Sequence, residues 1–308
     1  MTSIPAIQQF RSVLWPARTH ITNFPSLIFL CGGDRAVATN IRSKVFAYVQ
    51  ANDPLLYEKI KLAENFIEWT DEEFFTNLID LEDSLAHIVS FVPIILESPG
   101  AIAEFSGFMA HEQIRPKIKL YVEQKYANAQ SYIALGPIKK LKERQTDKIF
   151  KYVPAMESAL VEEIYNDLKK ETRARHRQEL FKQTTVSHQI LLICEFVKML
   201  SLARVTEIKF LLEAFYSEVS LRQIKMHMKL CEKVGLLKFV TFGSASDDVF
   251  YMSNYQNLNF AIFGFTATTA RSQKDLLRWK SRIRQAIKEH DGYRRSMFLA
   301  LEDAGGSV

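Results

Sequence analysis

Residues 91–104 read FVPIILESPGAIAE, an apolar run that passes directly into small and polar residues. The run Phe91–Leu96 predicts a buried strand, and Glu97 places a carboxylate at its end. Ser98 is suited to cap a helix that begins there, and Pro99 suits the first position of that helix. The stretch therefore predicts a strand, a tight turn and a helix start.

The start of this helix favours an anion. Gly100 and Ala101 have small side chains beside partly unpaired backbone N–H groups, and the helix dipole attracts phosphate or carboxylate to such an end. Glu104 lies about a turn and a half into the helix, on the same face as Phe108. A sugar bound across the strand tip could therefore meet the carboxylates of both Glu97 and Glu104.

Strand and helix patterns alternate on both sides of this unit. Strands are predicted at Leu27–Leu30, Ile60–Leu62, Ile88–Leu96 and Ile118–Val122, and helices at Thr39–Gln50, around 74–87, at Ala101–Glu112 and at Ile138–Glu143. Such alternation predicts an α/β fold, with a Rossmann-like parallel sheet and helices on both faces. Ligands of these folds bind beyond the carboxyl ends of the strands. Both Gly32-Gly33-Asp34 and the Glu97–Gly100 segment are expected there.

The second half of the chain has a mostly helical pattern. Helices are predicted at Ser187–Ala203, Thr206–Phe215 and Ser220–Val234, followed by hairpin strands Leu236–Phe242 and Val249–Met252. This order predicts a winged helix-turn-helix. The expected domains are 1–155, a linking helix at 156–186, and 187–308. The third helix would present Arg222, Gln223, Lys225, His227 and Lys229 on or near its exposed side.

Composition indicates two ordinary soluble domains. The chain has 308 residues, of which 47% are hydrophobic and 24% charged. Neither a membrane-spanning run nor a signal peptide is visible, so a cytoplasmic location and no membrane association are expected. Cys31, Cys194 and Cys231 are widely separated and show no metal-ligand spacing. We expect reduced, buried thiols, no metal site and no cofactor.

Charge is unevenly distributed. Residues 58–83 contain nine acidic residues against two lysines, whereas residues 169–182 and 271–295 are rich in lysine and arginine. The basic segments are candidates for contact with nucleic acid or a polyanionic partner, and Arg278, Arg282 and Arg284 are the residues expected to make it. Solvated helix faces are the alternative interpretation.

Several enzyme classes lack their motifs here. Gly32-Gly33-Asp34 is either a turn or an anion cradle, and it does not match the GxGxxG fingerprint of dinucleotide-dependent oxidoreductases. No GxSxG or Walker loop occurs, and His87 and His111 read as ordinary helix residues. The paired carboxylates favour glycosidic cleavage, in which one group attacks or stabilises the anomeric carbon while another positions the sugar. Glu82 and Asp80 could supply a third carboxylate, or form a solvated acidic face.

Taken together, five segments resemble the effector proteins of bacterial retrons. They are residues 28–34 (IFLCGGD), 81–86 (LEDSLA), 97–104 (ESPGAIAE), 136–141 (GPIKKL) and 294–298 (RRSMF). The resemblance implies an N-terminal domain similar to nucleoside 2-deoxyribosyltransferases and a C-terminal winged-helix-like domain. It also implies a toxin role in antiphage defence, with a retron reverse transcriptase and its branched RNA–DNA as partners, and possible homo-oligomers or filaments.

The resemblance also implies roles for individual residues. Glu104 takes the place of the transferase nucleophile, and Glu97 stands where those enzymes have a carboxylate before the glycine. Phe105-Ser106 replaces the usual Leu-Gly, which favours glycosidic cleavage over base exchange. Some relatives hydrolyse NAD, so NAD is expected as the substrate. The expected substrate-binding residues are Cys31, Gly32, Gly33, Asp34, Glu82, Ser98, Pro99 and Gly100.

Three alternatives remain open at this point. The chain could be a transferase or hydrolase that acts on nucleosides, nucleotides or their deoxy forms. It could instead be a non-catalytic regulator that senses a nucleotide and binds DNA through the winged helix. In the third alternative it is chiefly an assembly scaffold.

Overall fold

A computed structural model of the chain describes residues 4–65, 78–144, 146–173, 178–240, 250–255, 258–267 and 274–303. The chain divides into two compact units. One unit is Phe24–Arg175, and the other combines Met1–Asn23 with His176–Val308. No helix in the described ranges is long and apolar enough to cross a membrane.

The elements below are those of the described residues. The α-helices are α1 (Pro5–Val13), α2 (Ile41–Asn52), α3 (Pro54–Lys59), α4 (Leu78–Ile88), α5 (Pro99–Phe108), α6 (Gln124–Ala127), α7 (Lys139–Arg144), α8 (Glu157–Glu171), α9 (Val186–Leu200), α10 (Val205–Leu212), α11 (Leu221–Lys233), α12 (Leu276–His290) and α13 (Gly292–Asp303). The strands are β1 (His20–Thr22), β2 (Ile28–Phe29), β3 (Ile60–Lys61), β4 (Val92–Ile95), β5 (Ile118–Glu123), β6 (Ile149–Tyr152), β7 (Gln178–Leu180), β8 (Leu237–Val240), β9 (Phe250–Ser253) and β10 (Ala261–Ile262).

The unit 24–175 contains parallel strands. β4, β5 and β6 pair in parallel, and β2 pairs in parallel with β3. Two parallel bridges, from Ile28 to Phe91 and from Cys31 to Ile94, join these groups. The strands therefore lie in the order β3-β2-β4-β5-β6, and the predicted α/β architecture with parallel strands is confirmed.

Side chains along β2 alternate between two helical layers, as expected for a central strand. Ile28 and Leu30 lie in an apolar cluster that includes Val45 of α2 and Ile164 of α8. The ring of Phe29 points the other way and meets the ring of Phe108 on α5, with 6.0 Å between centroids. Helices therefore cover both faces of the sheet, and the carboxyl ends of β2 and β4 remain at one edge, next to the start of α5.

The strand predicted to begin at Ile88 begins four residues later. Ile88 is the last residue of α4, and β4 starts at Val92. Leu81, Leu85 and Ile88 are all buried and follow helical spacing, so helix packing continues to that point. The earlier part of the predicted helix, before residue 78, lies outside the described residues.

Residues 156–186, predicted as one linking helix, do not form one. α8 ends at Glu171, and Gln178–Leu180 form β7, which pairs antiparallel with β1. Leu160, Ile164 and Leu168 bury one face of α8 in the unit 24–175. The compact unit thus ends at Arg175 instead of residue 155, and the first 23 residues group with the C-terminal part.

The second unit contains the predicted three helices and hairpin. α9, α10 and α11 are followed by β8 and β9, which pair antiparallel, and an antiparallel bridge joins Ala203 to Tyr251. α9 begins at Val186 after Thr185, so Ser187 does not cap it, and Ser220 precedes α11 without a capping side-chain hydrogen bond. Residues 243–248 of the hairpin loop lie outside the described residues.

Candidate functional site

Glu97, which follows β4, joins the loop after β2 to the start of α2 through hydrogen bonds to its carboxylate. Its Oε1 accepts hydrogen bonds from the backbone N–H groups of Gly33 and Arg42, both at 3.0 Å, and its Oε2 accepts one from Ile41 at 2.7 Å. The amino end of α2 favours an anion, and this carboxylate supplies it. These bonds involve both carboxylate oxygens and give Glu97 a role in holding the loop and α2 together; its expected acid/base or sugar-positioning role stays a prediction.

The two glycines after β2 allow this close approach. A Cβ atom at Gly32 would lie 2.9 Å from Cβ of Arg42, and one at Gly33 would lie 2.4 Å from Nδ2 of Asn40. Neither glycine has a positive φ. Because the N–H of Gly33 is donated to Glu97, the loop binds the protein's own carboxylate. The sequence left a turn and an anion cradle open for this loop, and substrate binding by Gly32 and Gly33 stays a prediction.

The start of α5 forms as predicted and is accessible. Ser98 Oγ accepts a hydrogen bond from the backbone N–H of Ala101 at 3.1 Å, with Pro99 at the first helical position. Pro99 and Gly100 are exposed. Among the described residues, a Cβ atom at Gly100 would have only Ser98 Oγ, at 3.8 Å, nearby, so these residues leave room for a ligand at this helix end.

Three glutamates from different elements lie close enough for their charges to interact. Glu104 lies on α5, Glu82 on α4, and Glu64 beyond the end of β3. Burial raises the pKa of Glu104 to about 8, and the neighbouring charge of Glu82 adds to the rise. Burial likewise raises the pKa of Glu82 to about 7, with the charge of Glu64 adding to it. The three carboxyl groups therefore act on one another and form a single acidic cluster.

Glu104 has a buried oxygen without a partner. Its Oε2 makes no hydrogen bond within the described residues. Buried polar atoms normally find a partner, so such an atom marks a place where a ligand or proton completes the site. Of the carboxyl groups predicted from the sequence, this one is best placed to act on a substrate.

A buried arginine and a buried thiol complete the cluster. Arg42 is 4% exposed and forms an ion pair with Glu64, with Nη1 3.3 Å from Oε2. In the described part of the chain its Nε has no hydrogen-bond partner. Burial and the charge of Glu104 raise the pKa of the Cys31 thiol. Cys31 is therefore a neutral neighbour of Glu104 and unsuited to nucleophilic attack.

The remaining predicted residues of this unit lie at the margin. Asp34 is exposed, and its Oδ1 accepts a hydrogen bond from the backbone N–H of Ala36 at 2.9 Å, which shapes the loop. Asp80 is exposed on α4. Sequence reasoning missed Arg42 and Glu64 as site residues. Glu64 follows a predicted strand as Glu97 does, so the same rule would have found it, but nothing marks Arg42 within its apolar helix.

Basic residues of the second unit differ in their surroundings. Arg222, Gln223 and Lys225 are exposed on α11, as predicted, whereas His227 is buried. Arg278 is exposed beside Asp275, at 3.5 Å. Arg282 donates to Gln9 Oε1 at 2.5 Å, and Arg284 is paired with Glu302. Of the predicted contacts, those on α11 are the most available.

Arg294, from the segment used for the resemblance, belongs to the core. It is fully buried, with Nη2 2.7 Å from Oε1 of Glu207 and Nε 2.9 Å from Oδ2 of Asp291. Its guanidinium ties α13 to α10. Arg294 is therefore a structural residue.

Comparison with known proteins gives a consistent set of matches. The sequence model of a family described as "STM3845 retron effector protein" matches residues 38–239. A curated protein of Escherichia coli, "Retron Ec86 putative ribosyltransferase/DNA-binding protein", is 25% identical over 130 residues, which are 42% of this chain and 41% of that one. "Retron Ec73 putative ribosyltransferase/DNA-binding protein", also from Escherichia coli, is 24% identical over 206 residues, 59% of this chain and 62% of that one. The matches thus span about two fifths and three fifths of these relatives.

Proposed function

The chain belongs to the STM3845 retron effector family, and on that premise we propose that it is a defence effector that cleaves the N-glycosidic bond of a nucleotide. The names of both relatives include a putative ribosyltransferase, an activity that acts on the bond to the anomeric carbon. The unit 24–175 would be the catalytic one, with a nucleoside deoxyribosyltransferase-like Rossmann organisation.

One observation carries the proposal: Glu104 holds a buried, unpartnered carboxyl oxygen at the open end of a parallel sheet. The carboxyl group of Glu104, beside those of Glu82 and Glu64, can supply negative charge there once it is ionised. Cleavage of a glycosidic bond develops positive charge on the sugar, and a fixed negative environment stabilises that transition state. We assign Glu104 as nucleophile or charge stabiliser.

The charge balance of the cluster favours a cationic substrate. Arg42 pairs with Glu64 and its charge also acts on Glu82 and Glu104, yet the pKa values of both stay raised, and neither forms an ion pair within the described residues. The nicotinamide ring of NAD is positively charged, so its binding would favour the ionised form of both carboxyls. A neutral nucleoside offers no such gain. NAD is therefore the substrate that we favour, as a substrate and not a cofactor.

The proposed reaction balances as a hydrolysis. The bond from the ribose anomeric carbon to the nicotinamide nitrogen breaks, and its electron pair neutralises the ring. Glu104 either attacks the anomeric carbon or stabilises its positive charge. Water then adds to that carbon and releases a proton, which gives ADP-ribose and nicotinamide. Glu82 would position ribose hydroxyls, and the exposed start of α5 around Gly100 would face the phosphates. Glu97 would be a positioning residue that acts through α2.

A second candidate substrate class has its own support. Because the pKa of Glu104 is about 8, this group holds a proton at neutral pH in the empty site. A protonated carboxyl can donate that proton to a departing purine. Transfer or hydrolysis of purine (deoxy)nucleosides or nucleotides is therefore the alternative.

The second unit would hold the partner. Three helices and an antiparallel hairpin have the element order of a winged helix, and Arg222, Gln223 and Lys225 face solvent on its third helix. We propose that this face contacts the retron reverse transcriptase with its branched RNA–DNA, and that the contact controls the activity. A duplex-operator regulator without catalysis would use the same face.

Nucleotide profiling by mass spectrometry tests the proposal. Cells would express the wild type, Glu104→Gln, or the control Glu143→Gln, which changes an exposed glutamate on α7, each with and without the reverse transcriptase. Loss of NAD with gain of ADP-ribose and nicotinamide, in wild type and control only, supports NAD cleavage. Altered nucleosides with unchanged NAD would redirect the assignment to the purine class. A Glu104→Gln protein with wild-type products and toxicity would overturn the assignment of Glu104.

A further inference from the structure

We propose that Asp83, His87 and His111 form a binding site for a divalent transition-metal ion of the zinc type. Asp83 and His87 lie one turn apart on α4, and His111 lies in the turn that follows α5. The three residues are 28 positions apart at most in sequence, yet the fold brings their donor atoms into one cluster. From the sequence we expected no metal site and interpreted both histidines as ordinary helix residues.

The spacing of the donor atoms suits one small cation. One atom from each residue can be chosen so that all lie within 4.8 Å of one another. Nε2 of His111 is 3.3 Å from Oδ1 of Asp83, and Nε2 of His87 is 3.6 Å from Oδ2. Ligand atoms of a tetrahedral zinc ion, at bond lengths of about 2.0 to 2.1 Å, are about 3.4 Å apart. Both separations are close to that value and involve different oxygens of Asp83, so the carboxylate would bind the ion through both oxygens.

Two buried polar atoms of the cluster lack hydrogen-bond partners among the described residues. Oδ1 of Asp83 and Nδ1 of His87 are buried and have no hydrogen-bond partner in the ranges that the structure describes. The separation of 3.6 Å between His87 and Asp83 is too long for a hydrogen bond. A cation between Asp83 and His111 would give the buried Oδ1 of Asp83 the partner that it lacks, and a cation bound by His87 could use either ring nitrogen.

His87 lies on a buried side of the cluster that is held in place, and His111 lies on a side exposed to solvent. His87 is 5% exposed, and Lys117 Nζ donates to its carbonyl oxygen at 2.6 Å, which holds the end of α4 in place. The side chain of His111 is 46% exposed, so an ion can reach the site and keep water as a further ligand. Two imidazoles and one carboxylate suit zinc, cobalt or nickel better than magnesium or calcium, which prefer oxygen ligands.

Such an ion would link the two helices that carry the acidic cluster. Glu82 immediately precedes Asp83 on α4, and Glu104 lies on α5, seven residues before His111. An ion bound by residues of both segments would fix α4 against the end of α5. This site stands independently of the proposed reaction, because its ligands are distinct from Glu104 and Glu82.

Metal titration of the full chain tests the proposal. The purified protein would be stripped with a chelator and titrated with Zn²⁺, and separately with Co²⁺, whose visible absorption reports a site of low coordination number. His111→Ala removes an exposed ligand, and His290→Ala is the matched control, an exposed histidine on α12. We expect one ion per chain in wild type and control, and at least tenfold weaker binding in His111→Ala.

A thermal melt provides a readout separate from affinity. Zn²⁺ should raise the melting temperature of the wild type and of His290→Ala, but not that of His111→Ala or Asp83→Asn, and Mg²⁺ should have no effect. The wild-type titration decides the matter even if a variant misfolds. Substoichiometric uptake by the wild type, or wild-type affinity in a folded His111→Ala protein, would overturn the proposal.

Discussion

At the residue scale, two glutamates seven positions apart have opposite surroundings. Glu97 accepts hydrogen bonds from three backbone N–H groups, whereas Oε2 of Glu104 is buried and accepts none within the described residues. Donors stabilise the first carboxylate as an ion, while burial and like charges destabilise the second. A carboxyl group whose ionised form is disfavoured by its surroundings is suited to react with a cationic substrate, because the charge of that substrate stabilises the ionised form.

The rate of NAD cleavage should rise with pH. A nucleophile must be ionised, and burial beside Glu82 raises the pKa of Glu104 to about 8. We therefore expect kcat/KM to increase about tenfold per pH unit below an apparent pKa near 8 and to level off above it. This apparent pKa belongs to Glu104 and Glu82 together. Nicotinamide release between pH 6 and 9.5 measures it, and a rate that falls above pH 8 would instead indicate the acid role expected with purines.

Substitution of the same two glutamates should change stability in opposite directions. The pKa of Glu104 in the folded state lies above its unfolded value of 4.5, so the folded protein binds more protons and wild-type stability falls as pH rises from about 4.5 to 8. Glu104→Gln should therefore raise the free energy of unfolding by about 1 to 3 kcal/mol at pH 8 and by little at pH 5. Glu97→Gln should lower it by about 1.5 to 3 kcal/mol, because it loses charge-assisted hydrogen bonds. Urea denaturation at both pH values measures these changes, and equal effects of the two substitutions would contradict this account.

At the scale of elements, the site depends on how closely the loop after β2 approaches α2. Gly33 is the tightest point, because a Cβ atom there would lie 2.4 Å from Asn40 Nδ2 and 3.2 Å from Glu97 Cγ. Relief of that contact would either displace the Asn40 amide, which donates to the carbonyl oxygen of Asp34 at 2.8 Å, or shift the loop and with it the backbone N–H that binds Glu97. The geometry of the acidic cluster is thus coupled to a glycine that has no reactive group.

Alanine at Gly33 should therefore impair both stability and activity. We expect Gly33→Ala to lower the free energy of unfolding by about 1 to 3 kcal/mol, as overpacking does. The control is Gly107→Ala on α5, where a Cβ atom meets no atom of the described residues within 4 Å and alanine should stabilise the helix by about 0.5 to 1 kcal/mol. Thermal melts and NAD turnover of both variants provide the test. A Gly33→Ala protein as stable and active as the control would show that the loop can move without consequence.

Local elements could be predicted from the sequence, and distant contacts could not. Ser98 and Pro99 specify the start of α5 through neighbours a few residues away, and the structure confirms that start. The partners of Glu97 lie 55 to 64 positions away, so its role follows only from the folded sheet. The same applies to Arg42, which pairs with Glu64 from another element, and to the residue 156–186 segment, whose charge pattern concealed the end of α8.

At the scale of the whole molecule, the acidic segment 58–83 and the basic segment 271–295 fall in different compact units, while the basic segment 169–182 runs across the boundary after Arg175. The carboxylate cluster belongs to the unit 24–175, and the exposed basic face of α11 belongs to the other. The sheet of that second unit draws β1 from the first 23 residues, which pairs with β7 and β10. The separation of charge suits a protein that receives a small cationic substrate in one unit and a polyanion on the other.

Binding of nucleic acid should therefore depend on salt, and the dependence should be local to α11. Each phosphate contact contributes about 0.7 to 0.9 to the slope of log affinity against log salt concentration, so loss of Arg222 and Lys225 by alanine substitution should reduce the slope by about 1.5. The control removes two exposed lysines of α7, Lys139 and Lys142, with the same change in net charge. Fluorescence anisotropy with branched RNA–DNA between 50 and 300 mM salt measures both slopes. If the slope falls by the same amount in both double variants, net charge and not the α11 face governs binding. Only a local contact can distinguish variants of equal net charge.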